Sequence, residues 1–320
     1  MSFSSRVKNE LARTEAKRNC CQLAELAALV HLNGTIQINA PGKVNLRIST
    51  ENAATARRIF SLLKRRYQIK TEVMVRKNRR LRKRYSYMLV IPHEKGSLEI
   101  LRDFGILKGE PGKGIEMVTS IKPELIQNEC CKRALLRGAF LGAGSVSDPE
   151  KTYHLEFVAH HGDFAEDLCN LLNFFELNAK IVLRKGKYMV YLKEGEHIVE
   201  LFSLIGAHSA LLELENVRIY KDVRNNVNRI VNCETANLEK IVNASYRQIE
   251  NIKYIRDHMG FHKLPPALRE IAELRLNHTE ASLRELGAML SPAIGKSGVN
   301  HRLRKLDKIA HDLKVKKGEI

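Results

Sequence analysis

Two stretches of the chain carry the same order of apolar and polar positions, offset by 110 residues. Leu26-Ala27-Ala28-Leu29-Val30-His31-Leu32-Asn33-Gly34 falls on Leu136-Arg137-Gly138-Ala139-Phe140-Leu141-Gly142-Ala143-Gly144, and Cys20-Cys21 falls on Cys130-Cys131. Each predicts a helix of small and apolar residues stopped by a glycine just past its end. Thr35–Gln37 and Ser145–Ser147 then open a short strand. Val44, Leu46 and Ile48 alternate with Asn45, Arg47 and Ser49, and Tyr153, Leu155 and Phe157 alternate with His154 and Glu156. A period of two means a strand with one buried face. Second helices over Ala53–Arg66 and Phe164–Phe175 follow. Hairpins pair Thr71–Val75 with Tyr85–Ile91, and Lys180–Leu183 with Tyr188–Leu192. Third helices, Leu98–Phe104 and Ile198–Ile205, close each copy. The prediction is an α+β fold with a duplicated α-β-β-α-β-β-α unit, one copy in 1–110 and the other in 111–210.

Beyond Gly206 the apolar period becomes helical throughout. Leu211–Val231 and Cys233–His258 each predict a long amphipathic helix, the second stopped by Gly260. Leu264-Pro265-Pro266 opens another, to about Leu276, with proline in its favoured first position. Ser282 followed three residues later by Glu285 is a capping box, and Leu283, Leu286 and Leu290 share a face behind it. Ser291-Pro292-Ala293-Ile294-Gly295-Lys296 interrupts the helix. Ser297 is expected to cap a last one, with Val299, Leu303, Leu306 and Ile309 inward. Two short helices joined by a turn, the second basic outside, form the helix-turn-helix pattern. An all-α domain is thus expected at 211–320, with the motif at about 281–313.

Charge sharpens this picture. The 320 residues carry a net +18, unevenly spread. Arg57–Arg84 holds 13 Lys/Arg against Glu72 alone, and Lys296–Lys317 holds eight against Asp307 and Asp312. Gly138–Glu200 is acidic, with ten Asp/Glu against six Lys/Arg. Two basic regions flanking an acidic middle point to a polyanionic partner, double-stranded DNA before a membrane. Hydrophobic residues make up 44% of the chain, enough for a substantial core. Met1–Arg6 opens onto polar sequence, and Leu23–Val30 is short and interrupted by Glu25, so a cytoplasmic, nucleoid-associated chain is expected.

Metal and cofactor chemistry finds little support in the spacing. The six cysteines include no C-x-x-C pair, and neighbouring cysteines on a helix point about 100° apart. Reduced, mostly buried thiols are expected, with no metal, cofactor or small-molecule substrate. His160-His161 and His301 lack a carboxylate at metal spacing. Gly295-Lys296-Ser297 is not a phosphate-binding loop, because the glycine that such a loop needs falls on Leu290.

The paired small-residue helices ending in glycine resemble the LAGLIDADG homing endonucleases. In that family the two helices pack closely, a role that suits Ala27, Ala28, Gly138 and Ala139. An acid before each terminal glycine holds the catalytic metal there. Those positions are Asn33 and Ala143 here, which implies a scaffold without catalysis rather than an enzyme; Asp148 lies past the Gly144 turn. With the helical domain added, the chain resembles the WhiA family of bacterial regulators over essentially its whole length. The carriers are Leu136–Leu141 with Gly144-Ser145-Val146, Arg224-Asn225-Asn226 with Asn228-Arg229, and Ser282-Leu283-x-Glu285-Leu286-Gly287 with Val299-x-x-Arg302-Leu303. The resemblance implies transcription regulation in cell division and chromosome segregation, and sporulation in some relatives. It leaves room for other regulators or RNA polymerase as partners.

The expected DNA-reading residues are Ser297, Asn300, His301, Arg302 and Arg304 at the start of the last helix. Lys296, Lys305 and Lys308 are expected on phosphates, and Ser282 and Arg284 at the start of the preceding helix. A secondary contact is expected from the first hairpin, through Arg76, Lys77, Arg79, Arg80, Arg82, Lys83 and Arg84. Two other readings stand beside this one: an active nuclease, and a protein-interaction scaffold with incidental DNA affinity.

Overall fold

The computed structural model describes residues 1–40, 43–69, 71–77, 85–109, 116–317 and 319. The chain divides into two compact units, Met1–Asp222 and Val223–Ile320.

The first unit opens with a helix that the sequence pattern did not predict. In α1 (Phe3–Leu11) the Ser2 hydroxyl accepts from the Ser5 N–H, and Phe3, Val7 and Leu11 are buried one turn apart. The first copy follows as α2 (Asn19–Asn33), β1 (Gly34–Ala40), β2 (Lys43–Thr50), α3 (Ala53–Tyr67), β3 (Glu72–Lys77), β4 (Tyr85–Ile91) and α4 (Ser97–Asp103). A short ladder of β5 (Leu107–Lys108) with β6 (Glu116–Met117) leads to the second copy. That copy is α5 (Glu129–Ala143), β7 (Gly144–Val146), β8 (Leu155–Ala159), α6 (Gly162–Phe174), β9 (Lys180–Arg184), β10 (Lys187–Leu192) and α7 (Gly195–Ile205). The sheets have the same antiparallel order, β1-β2-β4-β3 and β7-β8-β10-β9. The predicted α-β-β-α-β-β-α order is therefore observed twice.

The two copies share one apolar core, centred on α2 and α5. Ala27, Ala28, Gly138 and Ala139 are all buried along this pair. A β-carbon on Gly138 would stand 3.0 Å from both the carbonyl carbon and Cα of Glu25, and closer still to the Glu25 oxygen. The fully buried Glu25 carboxylate accepts from Arg58 Nε (2.6 Å) and Nη2 (2.9 Å), and from Arg137 Nε (3.2 Å). Arg137 also donates to the Ile205 carbonyl (3.1 Å), so one carboxylate ties α2 to α3, α5 and α7.

The terminal glycines act differently from expectation. Gly34 and Gly144 have φ −77° and −71°, not the left-handed values of a helix-ending glycine. Each helix runs straight into its strand, and the glycine is needed for room. A β-carbon on Gly144 would lie 2.7 Å from Phe140 Cα, and one on Gly34 would collide with the Val30 carbonyl oxygen.

One helix, α8 (His208–His258), stands where two were expected. Neither glycine nor proline occurs between Gly206 and Gly260, so nothing local breaks the hydrogen-bond ladder at Asn232-Cys233. In the second unit, α9 (Pro266–Asn277), α10 (Leu283–Ala288) and α11 (Lys296–Lys317) follow. Ile252 and Ile255 of α8 join Leu268, Ile271, Leu286, Leu290, Val299, Leu303 and Leu306 in a second core. No helix among the described residues is long and apolar enough to cross a membrane.

Two stability measurements test this packing. Gly138→Ala should gain up to about 1 kcal/mol on helix propensity alone. The close approach to the Glu25 backbone predicts instead a loss of about 2 kcal/mol in urea unfolding, and a stabilised variant would refute the crossing. His31 stacks on Phe164 (5.0 Å between centroids), with Nε2 shut off from solvent and unpartnered. Burial lowers its pKa from 6.5 to about 4, and the nearby His161 adds to the lowering. The unfolded chain therefore binds a proton that the folded chain refuses between pH 6.5 and 4. The stabilisation is complete above 6.5 and is lost as pH falls through this window, on the order of 3 kcal/mol. His31→Gln should flatten that part of the stability–pH curve; an unchanged slope would exclude His31 as its source.

Candidate nucleic-acid interface

The helix-turn-helix is built from local signals and one close contact. The Ser282 side chain accepts from the Glu285 N–H (3.3 Å) while the Ser282 N–H donates to Glu285 Oε2 (2.7 Å), which is the expected capping box. The Ile294 N–H donates to the Gly287 carbonyl (3.0 Å), folding the turn back on α10. A β-carbon on Gly287 would collide with the Ile294 carbonyl oxygen and stand 3.2 Å from Val299 Cγ2. Only glycine lets the start of α11 come this near to α10.

Helix α11 begins two residues earlier than expected, at Lys296. The Gly295 carbonyl accepts from the Gly298 and Val299 N–H groups, so Ser297 lies inside the first turn and is not the cap. Val299, Leu303, Leu306 and Ala310 are buried. Ser297, His301, Arg304, Lys305 and Lys308 lie on the opposite side and are exposed, as is Lys296; Asn300 is half-buried at the border. The spacings of four, three and four along 297, 301, 304 and 308 make one continuous stripe. Ser282 and Arg284 are exposed at the start of α10.

Arg302 is placed differently from its neighbours. Its side chain keeps 24% exposure, Nη1 donates to the Ala267 carbonyl (3.4 Å), and Glu270 Oε2 lies 3.9 Å away. It braces α11 against α9. Asp307 is also turned inward, accepting from Asn251 (2.9 Å) with Arg247 at 3.8 Å, which keeps this acid off the basic stripe.

In the first unit, the motif helices end without an acid pair. The Asn33 amide donates to the carbonyls of Ser49 (3.0 Å) and Gly142 (3.3 Å), while its buried Oδ1 has no partner. Across the pseudo-two-fold, Ala143 presents a methyl group. Asp148 is exposed, beyond β7. Beside these helix ends opens a cleft of about 1390 Å³, lined by Lys8, Arg13, Arg57 and Arg65 as well as Asn33 and Ser145. Burial lowers the Lys8 ammonium to about 8, with Glu51 opposing the shift. No motif or spacing in the amino-acid order groups these four cations. Arg57 and Arg65 belong to the basic run already noted, but Lys8 and Arg13 reach the cleft only through the packing of α1.

The open face of the first sheet carries Gln37, Asn45, Arg47, Ser49, Ser86 and Arg76, as the strand register requires. Arg76 and Lys77 are exposed on edge strand β3 and point to opposite faces. Arg79, Arg80, Arg82, Lys83 and Arg84 lie outside the described residues. In the second sheet the corresponding face pairs Glu156 with Ser145 (3.2 Å) and His154 (3.3 Å), beside Lys180 and Arg184.

The cysteine expectation needs correction. Cys21, Cys131 and Cys169 are buried, but Cys20 and Cys233 are exposed and Cys130 is half-buried. The Sγ atoms of Cys20, Cys21, Cys130 and Cys131 lie within 4.8 Å of one another. Spacing along one helix disfavoured a shared ligand, yet the pairs converge from two helices. Among the described residues this is the one grouping of three or more side chains suited to a metal.

Known proteins carry the same architecture. Family models described as the WhiA N-terminal LAGLIDADG-like domain, the WhiA LAGLIDADG-like domain and the WhiA C-terminal HTH domain match residues 19–107, 132–224 and 227–310. A probable cell division protein WhiA from Alkaliphilus metalliredigens is 59% identical over 310 residues, covering 97% of this chain and 98% of the relative. One of the same description from Thermoanaerobacter sp. is 52% identical, covering 99% of each chain. The crystal structure of full-length DUF199/WhiA from Thermatoga maritima is similar with a TM-score of 0.61 and 27% identity, over 98% of this chain and 99% of that one. With three family models matching most of the chain and these relatives covered over 98–99% of their length, the chain belongs to the WhiA family.

Proposed function

We propose that this chain is a DNA-binding transcription regulator acting in cell division and chromosome segregation, without nuclease activity. The observation that carries the DNA reading is the α11 stripe. Five exposed polar or basic side chains run along one face, opposite four buried apolar ones, on a helix held against α10 at Gly287. A helix so presented has the width and donor chemistry for the major groove. Ser297, Asn300, His301 and Arg304 read base edges, while Lys296, Lys305 and Lys308, with Ser282 and Arg284 of α10, hold phosphates. Arg302 positions the helix through α9 and does not itself read bases. In the first unit, Arg76 and Lys77 and the cations of the α1–α3 cleft supply a secondary, sequence-blind contact. The division role rests on the description that the relatives carry.

A divalent ion that clamps a phosphate needs carboxylates to offset its charge, and the two helix ends offer an amide and a methyl group. Supercoiled DNA incubated with the full chain and magnesium should stay uncut. Nicking that copurifies with the chain and is abolished at a metal-ligating residue would overturn the non-catalytic reading.

Binding to genomic DNA fragments over a salt series tests the DNA reading. Arg304→Ala should weaken specific binding by about 1–3 kcal/mol and blur one base position. Lys308→Ala should weaken all fragments alike and reduce the log–log salt slope by about 0.9. Arg302→Ala should lower thermal stability and weaken binding without changing the preferred sequence. Uniform binding by the parent chain that vanishes at moderate salt would instead favour the interaction-scaffold reading.

A further inference from the structure

We infer that Cys20, Cys21, Cys130 and Cys131 together hold one thiophilic divalent metal ion, zinc by the chemistry of the set, as a clip between the two copies of the duplicated fold. The cysteines occupy equivalent places near the N-termini of α2 and α5. Cys21 touches Cys130, and Cys131 touches Cys20. This crosswise pattern is what a two-fold axis through the cluster produces.

The dimensions suit a single ion. Zinc–sulfur bonds of about 2.3 Å in a tetrahedron place the sulfurs about 3.8 Å apart. The four sulfurs already lie within 4.8 Å of one another, so modest side-chain rotation closes the site. A cluster of several irons would need its thiolates further apart. The surroundings also favour negative sulfur. The Arg18 guanidinium Nη1 is 3.7 Å from Cys130 Sγ, and neither helix N-terminus has a side-chain cap. On binding, each thiol releases its proton to solvent and its sulfur takes one position on the ion.

Packing alone does not account for the set. Cys21 and Cys131 are buried and could serve as small apolar residues, but Cys20 is exposed and Cys130 half-buried. Those two add little to a core. Their value lies in completing a four-sulfur ligand set with a buried pair. Cys169 provides the contrast: it is buried, lies away from the cluster and donates to the Ala179 carbonyl (3.3 Å).

The test uses the full chain, purified with reductant and loaded with cobalt(II) or zinc(II). Expected are one metal per chain and, with cobalt, the visible bands of a tetrahedral tetrathiolate. Cys20→Ser with Cys130→Ser should abolish those bands while circular dichroism stays helical, and Cys169→Ser and Cys233→Ser should retain them. Should the double variant fail to fold, native alkylation followed by mass spectrometry decides the matter: zinc must protect Cys20 and Cys130 but leave Cys233 reactive. A reduced chain that binds no cobalt, bands that survive the double substitution, or Cys20 and Cys130 alkylated equally with and without zinc would overturn the proposal. Disulfides among these cysteines in a chain that takes up no metal when reduced would overturn it in favour of a redox pair.

Discussion

The backbones of α2 and α5 approach so closely at Gly138 that the Glu25 main chain occupies the space a side chain would need. Both sheets, and the helices around them, are positioned by that crossing. Small residues permit it, and dispersion between two nearly bare backbones rewards it. The buried Glu25 carboxylate adds direction to an otherwise non-directional contact. With Arg58 and Arg137 as partners it joins four helices, and removing Glu25 would leave two largely buried guanidinium groups uncompensated at a cost of about 3–5 kcal/mol. The triad is also asymmetric. The position equivalent to Arg137 in the first copy is Ala27, and that equivalent to Glu25 in the second is Leu135. A duplicated pair of helices therefore has a defined mate on each side.

The same crossing brings the helix ends together, and the two ends have diverged. At the C-terminal end, Asn33 bonds across to the Gly142 carbonyl, a neutral contact. At the N-terminal end, four sulfurs meet on the pseudo-two-fold. Ligand chemistry is thus concentrated at the opposite end of the helix pair from the lost acids. The sheet faces have diverged as well. One displays arginine and amides, and the other pairs its glutamate internally, so a repeated scaffold presents two unlike surfaces.

In the second unit, apolar and basic positions are divided between opposite faces of α11. Apolar positions of α11 build the core, and the opposite stripe from Ser297 to Lys308 holds no acid, Asp307 being bonded inward. Arg302 shows how residue type can mislead. A guanidinium near the start of a recognition helix has the right chemistry for guanine, but here it is spent on α9.

Much of this protein was legible in the amino-acid order. Hydrophobic period revealed the duplication, the order of elements and the helix-turn-helix. Ser282 and Glu285 announced the start of α10, and Asn33 and Ala143 announced the missing acids. These are local properties, decided within a few residues by backbone hydrogen bonding, side-chain period and residue type. Tertiary structure alone decided that adjacent cysteines converge across helices, that α1 carries Lys8 and Arg13 into a cleft with Arg57 and Arg65, and that Arg302 turns inward while Arg304 does not. It also decided why Gly34 and Gly144 are glycines: a strand leaves each helix directly, and the collision, not the backbone angle, forbids a side chain. Each of these outcomes depends on distances between segments remote in the chain or on the path the backbone takes after a helix. Periodicity carries no record of either.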